Sequence, residues 1–195
     1  MNAVLAAAAS LVAVAFCLST LDRWLRRRRP HELAWTVSLA LFALGSLALW
    51  WAESAGWGLG SFRVFYLAGA VLNVPWLALG TVYLLAGEDV GHRVRWWLVF
   101  LSGLTVGIVG FAPTKTGVSG GELPTGKDVF GVAPRVLAAV GSGVAALVII
   151  VGALWSAWRV ARGRNPSLSA QRSVAAPQQP VARNLLLPLG TPVIS

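Results

Sequence analysis

Five long apolar segments, separated by short polar connections, dominate this sequence. A helix needs about 20 apolar residues to cross a hydrocarbon core about 30 Å thick. Only helices and closed barrels satisfy the backbone hydrogen bonds there, and none of the segments alternates apolar and polar residues as a barrel strand does. The sequence therefore predicts an all-α polytopic transmembrane helix bundle with five spans, approximately 3–21, 33–52, 64–86, 96–112 and 136–158.

The strong positive charge of the chain does not indicate a nucleic-acid partner. The formal net charge is +9, yet only 12% of the residues are charged, against about 25% in a typical soluble domain. Basic charge indicates nucleic-acid binding when it covers one face of a folded soluble domain. Here it lies in the gaps between apolar segments, as in "RWLRRRRPHELAW", so we expect no nucleic acid among the partners.

The distribution of lysine and arginine predicts the orientation of the bundle. Twelve of the sixteen lie in the first and third connections and after the fifth span. Because basic residues accumulate in cytoplasmic loops, these parts are predicted to be cytoplasmic and the N-terminus to lie outside. The first ten residues contain no Lys or Arg, unlike a cleavable signal peptide, so the first span is predicted to be an uncleaved anchor. Anionic lipids are expected at Arg26, Arg27, Arg28 and Arg29.

Tryptophan gives a further indication of where the spans end, because its ring favours the membrane interface. Nine of the ten tryptophans lie near a predicted span end, and only Trp76 lies in the middle of a span. This distribution agrees with five spans in the predicted orientation. The predicted cytoplasmic ends carry Trp24, Trp35, Trp96, Trp97, Trp155 and Trp158, and the outer ends carry Trp50, Trp51 and Trp57.

The same pattern divides the chain into three regions. Residues 1–158 are predicted to form the transmembrane domain, and residues 159–183 a basic, disordered cytoplasmic linker, because they are polar and punctuated by proline. Residues 184–195 form a short apolar tail, either an interfacial segment or the start of a sixth helix that its prolines break. The outer connection, 112–134, is rich in Gly, Pro and Thr and is expected to run over the surface without regular structure.

Asn73 and Pro75 form a polar interruption in the predicted third span. Proline removes a backbone donor and kinks a helix, which frees a carbonyl group for Asn73 or a neighbouring helix to satisfy. Broken membrane helices of this kind line transport sites. The alternative is structural, because an asparagine side chain joins two membrane helices at a gain of about 0.6–2 kcal/mol.

Three further candidate ligand-binding residues lie on the predicted outer side. Glu53 and Arg63 flank the connection between the second and third spans and are candidates for an ion pair, which contributes about 0–1 kcal/mol when it is solvated. Arg135 opens the fifth span and is a candidate to join them in a site for an anion or a peptide. The alternative is a solvated loop whose long side chains extend toward the interface.

No set of residues predicts catalysis, a metal site or a cofactor site. His31 and His92 fall in predicted cytoplasmic connections, where they do not face each other inside the membrane as haem ligands do. No cluster of cysteines or carboxylates completes a metal site, and the single cysteine, Cys17, lies in an apolar run. Nucleophile triads and phosphate-binding loops are absent from the sequence pattern. We therefore expect a protein that is not an enzyme and carries no cofactor.

Small residues recur in the last two predicted spans. Gly103 and Gly107 form a GxxxG motif in the fourth span, and "AAVGSGVAA" places small residues on adjacent faces of the fifth. Small side chains let membrane helices approach each other closely. We expect these motifs to serve packing within the bundle, with association of separate chains as the alternative.

The stretch "AWTVSLALFALGSLALWWAESAGWGLGSFRVFYLAGAVLNVPWLALGTVYLLAG" and the later "LPTGKDVFGVAPR" resemble a family of small, uncharacterised polytopic membrane proteins of high-GC Gram-positive bacteria. The resemblance rests on an apolar helix that ends in Trp and Glu53, a short hairpin, and Arg63 at the start of the next helix, and it covers most of residues 30–160. More loosely, the layout is similar to the seven-helix sensor region of bacterial histidine kinases. The resemblance implies a bacterial plasma-membrane protein with one or two further helices after a segment like "RNLLLPLGT", and no established activity.

These observations predict a non-catalytic integral membrane protein. It is expected to be a sensory or scaffolding module that acts through helix packing with itself, as a homo-oligomer, or with a membrane protein partner. The alternative is a small-molecule permease or channel with a site near Asn73 and Pro75. The predicted span interiors contain no Asp, Glu, Lys or His, which ion and proton pathways usually have, so ion-coupled transport is not expected.

Overall fold

The computed structural model describes residues 2–114 and 124–162. Within these ranges the chain is helical apart from its connections, in which Thr114 and Phe130 form an isolated bridge. The helices are α1 (Asn2–Arg27), α2 (Pro30–Ala55), α3 (Leu59–Phe65), a π-helical segment (Tyr66–Leu72), α4 (Asn73–Ala86), α5 (Glu88–Phe111), α6 (Gly126–Val129) and α7 (Val132–Arg162).

The prediction of an all-α transmembrane bundle with five spans is confirmed. Five helices of the described chain are long and apolar enough to cross a membrane. They are α1, α2, α5, α7 and a composite third span, in which α3, the π-helical segment and α4 follow each other without a break. Each helix runs beyond its predicted span at one or both ends, because polar and arginine-rich turns also adopt the helical conformation.

The described chain up to Trp155 forms one compact unit, and residues 156–162 at the end of α7 belong to a second. Of the second unit the structure describes only the last turns of α7, where the Arg162 guanidinium carbon lies 3.9 Å from the centre of the Trp158 ring. Residues 159–162, predicted to begin the linker, are therefore helical. The rest of the predicted linker, the apolar tail and the predicted start of a sixth helix lie outside the described residues.

Helix α1 packs on α2 along a row of small side chains. Small residues let helix backbones approach closely, which favours association in lipid, where apolar burial supplies no driving force. The row also contains one polar contact between the helices, in which Cys17 Sγ lies 3.5 Å from the carbonyl oxygen of Thr36 in α2. Its members follow a spacing of four and three residues, and all are buried or half-buried: Ala6, Ser10, Ala13, Cys17 and Thr20.

Helix α2 lies between α1 and the third span and is also lined with small residues on its second buried face. The closest approach is at Gly45, where an added Cβ would lie 2.9 Å from the backbone nitrogen of Gly69 in the π-helical segment. The two backbones are therefore in direct contact. The buried small residues on this face of α2 are Ala34, Ser38, Gly45, Ala48 and Ala52.

Short connections fix the direction of successive helices. Gly56 (φ 93°) ends α2, and Gly87 (φ 85°) joins α4 directly to α5; glycine adopts such positive φ angles without steric cost. Pro30 is the first residue of α2, a position where its missing N–H is not needed. Because such connections reverse the chain, the connections after α1 and α4 lie at one end of the bundle, here named the basic end. Those after α2 and α5 lie at the other, here named the opposite end.

An aromatic cluster closes the opposite end. Phe130 is 0% exposed, and its ring centre lies 5.5 Å from that of Phe62 and 5.1 Å from that of Tyr66. Trp57 lies in the connection between α2 and α3, beside a predicted span end, and its ring is buried and packs edge-on against Phe62. The cluster joins the third span to the connection that follows α5.

The expectation that this connection only runs over the surface is wrong for its described part. Residues 126–129 form the short helix α6, and Val129 and Phe130 are buried in the aromatic cluster. The Thr125 hydroxyl donates a hydrogen bond to the Asp128 carboxylate at the start of α6. Val129 and Phe130 thus anchor the described end of a connection that is otherwise rich in Gly, Pro and Thr.

Candidate functional site

The α-helical hydrogen-bonding pattern of the third span is interrupted close to Pro75, as the sequence predicts, although the chain stays helical. The seven residues before Asn73 are π-helical. Pro75 has no N–H, so the carbonyl of Val71, four residues earlier, cannot receive its ordinary α-helical hydrogen bond. A π-helix instead takes its donor from the fifth residue along, and such segments are rare and frequent at functional sites. The interruption therefore extends from Pro75 toward the opposite end of the bundle.

Asn73 joins the third span to α2. The Ser38 hydroxyl donates to Asn73 Oδ1 at 2.7 Å and lies 3.0 Å from the Asn73 backbone oxygen. Ser38 is buried in the α2 interface. The Asn73 side chain is therefore engaged between two helices, which is the structural role considered for it from the sequence.

Replacing Ser38 with alanine is expected to destabilise the bundle modestly. Ser38→Ala removes the only partner that the structure describes for the Asn73 side chain, and interhelical hydrogen bonds in membranes contribute about 0.6–1.7 kcal/mol. Chemical unfolding of the purified chain in detergent measures this loss. Ser54→Ala is the matched control, because the Ser54 hydroxyl bonds only within α2, to the Trp50 carbonyl. Equal losses in the two variants would show that the Ser38 contact has no special weight.

Glu53 and Arg63, the candidates for an ion pair, do not form one in the described chain. Arg63 Nη2 instead donates to the carbonyl oxygen of Ala112 at the end of α5, at 2.7 Å. Glu53 Oε1 accepts a long hydrogen bond of 3.4 Å from Trp57 Nε1. Arg63 therefore ties the third span to the end of α5, where a helix leaves carbonyl groups without helical partners.

Arg135 has a different environment from Arg63. It is exposed in the first turn of α7, directly after Pro134, whose carbonyl oxygen accepts a hydrogen bond of 3.3 Å from the Tyr66 hydroxyl. No hydrogen bond or ion pair links Arg135 to Glu53 or Arg63 within the ranges that the structure covers. The three charged candidates therefore share an end of the bundle without forming one assembled site.

Two buried polar groups at the basic end were not indicated by the sequence. Glu32 is 4% exposed, and neither its Oε2 atom nor the buried hydroxyl of Tyr83 has a hydrogen-bond partner among the described residues. Glu32 lies just outside the predicted second span, yet Pro30 followed by Glu32 is a typical helix start. That signal could have shown that α2 begins earlier and carries a carboxylate in its first turn.

The two histidines pack against aromatic rings at the same end. The His31 ring lies edge-on to Trp35, with the ring centres 5.3 Å apart. The His92 ring lies edge-on to Tyr83 at 5.5 Å, and His92 Nδ1 is 2.6 Å from the carbonyl oxygen of Glu88. Within residues 2–114 and 124–162, no group of three or more His, Cys, Asp or Glu side chains is placed to hold a metal ion.

An apolar cavity of about 360 Å³ lies beside Pro75, between the third span, α5 and α7. Pro75 lines it, whereas Asn73 does not. Helix α7 closes one side, where the Ser142 hydroxyl donates to the Ala70 carbonyl at 2.7 Å and Gly141 approaches the Pro75 ring. The two residues of the predicted interruption therefore have different roles. Asn73 forms an interhelical hydrogen bond, and Pro75 lines the cavity.

Glycines in α5 divide into one that is covered and a row that is not. Gly91 lies under the Tyr83 ring. At Gly103, Gly107 and Gly110, by contrast, an added Cβ would meet no described atom within 4 Å. The expectation that the GxxxG motif serves packing within the bundle is therefore wrong for the chain as described, because this face of α5 points away from the other helices.

Comparisons with protein-family models, with curated proteins and with solved structures give no match for this chain. The resemblance to small polytopic membrane proteins of Gram-positive bacteria, and the looser one to the sensor region of histidine kinases, therefore stay predictions from the sequence. The features that bear on function are those of the bundle itself: the bond between Ser38 and Asn73, the apolar cavity at Pro75 and the uncovered glycine face of α5.

Proposed function

We propose that this chain is a non-catalytic membrane protein, a sensory or scaffolding module that acts by docking α5 against a transmembrane helix of another chain. The observation that carries the proposal is the uncovered row of glycines. Gly103, Gly107 and Gly110 meet no described atom within 4 Å, although they lie in a helix of a packed bundle.

The glycine row belongs to one continuous face of α5. Trp96, Phe100, Gly103 and Gly107 follow each other at intervals of four, three and four residues, which places them on one side of a helix. Trp96 and Phe100 are exposed, whereas the buried residues Thr105 and Val109 lie on the other side of the helix. The face therefore combines large aromatic side chains with a flat glycine surface.

Such a face fits a second helix better than it fits lipid. Other glycines of this bundle lie where a neighbour approaches closely, as at Gly45 against Gly69 and at Gly152 against side chains of α4, whereas Gly60 and Gly143 are uncovered singly and form no row. Helix interfaces in membranes are enriched in small residues because packing and interhelical hydrogen bonds drive their association. In a helix that faces only lipid, three glycines in one row would make no interhelical contact.

The double variant Gly103→Leu with Gly107→Leu is expected to abolish the complex without unfolding the chain. Both leucines point into open space in the isolated chain, so only a docked helix is displaced. Crosslinking in native membranes, followed by mass spectrometry, measures the complex and identifies whether the second helix belongs to another copy or to a different protein. Val106→Leu is the matched control, an enlargement at an exposed apolar position of the same helix.

Either of two results would contradict the docking proposal. One is recovery of the unsubstituted chain as a monomer without any crosslinked partner. The other is a complex that survives in the double variant as well as in Val106→Leu. A crosslinked product of twice the chain mass supports self-association, and a product with a second protein supports a scaffold or sensor that joins that protein.

The proposed location is the bacterial plasma membrane, with the N-terminus outside and the basic end in the cytoplasm. Four exposed arginines at the basic end, Arg26–Arg29, support this orientation and are expected to contact anionic lipid headgroups. A reporter enzyme that is active only outside the cytoplasm, fused to the N-terminus, tests it. An inactive reporter on a fully inserted chain would show that the N-terminus lies in the cytoplasm and would contradict the proposed orientation.

A permease or channel with its site near Asn73 and Pro75 is supported less well. The Asn73 side chain is engaged by Ser38, and the cavity at Pro75 has no ionisable side chain in its described lining. A flux assay in liposomes decides between the two proposals. Solute flux that is lost in Asn73→Leu would favour the permease, whereas no flux in the unsubstituted chain would remove it.

A further inference from the structure

The cavity beside Pro75 is elongated and parallel to the helices. It is lined along α5 from Val94 to Thr105 and along α7 from Leu137 to Val148. At 1.5 Å per residue each of these walls is about 16 Å long. One leaflet takes up half of a hydrocarbon core that is about 30 Å thick, so the cavity has the length that one lipid acyl chain spans.

The lining suits a hydrocarbon chain. Ser102 and Thr105 are the two lining side chains with a polar atom, and Ser102 Oγ already accepts a hydrogen bond of 3.3 Å from Trp76 Nε1. An apolar cavity of about 150 Å³ stays dry and takes up benzene. This cavity has about 360 Å³, so it is large enough for a longer apolar ligand.

Positive charge flanks one end of the cavity. Val94, the lining residue of α5 nearest the basic end, is followed by the half-buried Arg95, whereas Arg93 lies with Trp96 and Phe100 on the other face of α5. The Arg95 guanidinium carbon is 5.5 Å from the centre of the Trp96 ring, and tryptophan favours the membrane interface. Guanidinium groups bind phosphate oxygens through charge-assisted hydrogen bonds. A phosphate group is therefore the headgroup that this end of the cavity favours.

We propose that the cavity holds one acyl chain of an anionic phospholipid, with the lipid phosphate at Arg95. A second transmembrane helix, about 10 Å wide, does not fit between α7 and the third span, because these two helices are in contact at Ser142 and Ala70, 2.7 Å apart, and at Gly141 and Pro75. The site is separate from the proposed docking face, since Leu98 lines the cavity on the side of α5 away from Gly107.

The direct test is photolabelling of the full chain in vesicles. The vesicles contain phosphatidylcholine and a phosphatidylglycerol that carries a photoactivatable diazirine in one acyl chain. Peptide mapping is expected to place the label on cavity walls, at positions such as Leu98 and Val140. Label spread evenly over exposed lipid-facing residues of α1, such as Leu11, would overturn the proposal.

Filling the cavity separates a bound lipid from ordinary lipid contact. Ala145→Phe adds a ring at a buried wall position, and Leu147→Phe adds the same ring at an exposed position of α7 outside the cavity. Labelling of the α5 wall is expected to fall to background in Ala145→Phe and to persist in Leu147→Phe. Val144→Phe, at an exposed wall position, takes its place if Ala145→Phe does not fold. Unchanged labelling in the filled variant would overturn the proposal.

The arginines test the identity of the lipid. Arg95→Gln is expected to lower the phosphatidylglycerol retained per purified chain by roughly fivefold, and to leave retention of zwitterionic phosphatidylcholine unchanged. Arg93→Gln is the matched control, because Arg93 lies with Trp96 and Phe100 on the other face of α5, and it is expected to leave both unchanged. Mass spectrometry of the retained lipid separates the possible sources of the acyl chain. A fatty acid or a neutral lipid at one molecule per chain, or retention of phosphatidylglycerol that does not depend on Arg95, would overturn the assignment to an anionic phospholipid.

Discussion

Gly45→Leu is expected to push α2 away from the third span and to lower the thermal midpoint of the purified chain by roughly 6–12 °C. An added Cβ at Gly45 would lie 2.9 Å from the backbone nitrogen and 3.0 Å from the Cα of Gly69. Overpacking costs about 1–3 kcal/mol, and the upper value applies here because backbone atoms cannot rotate out of the way. Thermal unfolding in detergent, followed by circular dichroism, measures the shift.

Gly103→Leu is the matched control for this prediction. It makes the same chemical change in another span, at a glycine beside which the structure describes no atom within 4 Å. Measured on the monomeric fraction, its stability is expected to stay within about 0.5 kcal/mol of the unsubstituted chain. If both variants lost the same stability, the loss would come from leucine in a membrane helix and not from the contact between Gly45 and Gly69.

The spans could be predicted from the sequence because the physics that sets them is local. A run of apolar residues long enough to cross the hydrocarbon core must be helical in lipid, whatever its neighbours are. The ends were less predictable. Glu88 and the arginines after it are polar and were left outside the fourth span, yet α5 begins at Glu88, since the helix continues through the interface.

The faces of the helices could not be predicted, because many faces carry small residues. The GxxxG at Gly103 was conspicuous and is not covered by the described chain. The row that includes Ser10 and Ala13 in α1, with no GxxxG motif, is buried against α2. Small residues permit close approach, but the choice between two permissive faces depends on which helix lies beside them. Spacing within one helix does not contain that information.

The sequence predicts which residues interrupt the third span but not the partners with which they form contacts. Proline forces an interruption of the α-helix from within the chain, so Pro75 marked the break, and Asn73 was identified as a possible link between helices. The partner Ser38 was not predictable, because it lies on another span. Arg63 and Glu53 were candidates for an ion pair because they flank the same connection, and Arg63 bonds instead to Ala112 at the end of α5. Pairings across the bundle require the three-dimensional arrangement.

The two proposed contacts of helix α5, with a lipid chain and with a second helix, lie on different faces of the helix. The face with Leu98 and Thr105 borders the apolar cavity, and the face with Phe100 and Gly107 is uncovered. A lipid chain in the cavity would support α5 from one side while a second helix docks on the other. Loss of lipid and loss of docking are therefore separable, because the variants that test them, Ala145→Phe and Gly107→Leu, lie on different surfaces.

Phe130→Ala is expected to cost about 3–5 kcal/mol and to open the connection between α5 and α7. Phe130 is 0% exposed and fills the centre of the aromatic cluster, between Phe62 and Tyr66. Its removal leaves a cavity that these rings cannot fill by rotation within a packed cluster. Limited proteolysis of the connection and unfolding in detergent measure the two consequences, release of the segment and loss of stability.

Phe111→Ala separates this effect from the general loss of an aromatic ring. Phe111 is 92% exposed, so its truncation removes contact with the surroundings and leaves no internal cavity. It is expected to stay within about 0.5 kcal/mol of the unsubstituted chain and to leave the proteolysis pattern unchanged. If Phe130→Ala were as stable as Phe111→Ala, the aromatic cluster would not hold the connection in place. The opposite end would then depend on the bond between Arg63 and Ala112 instead.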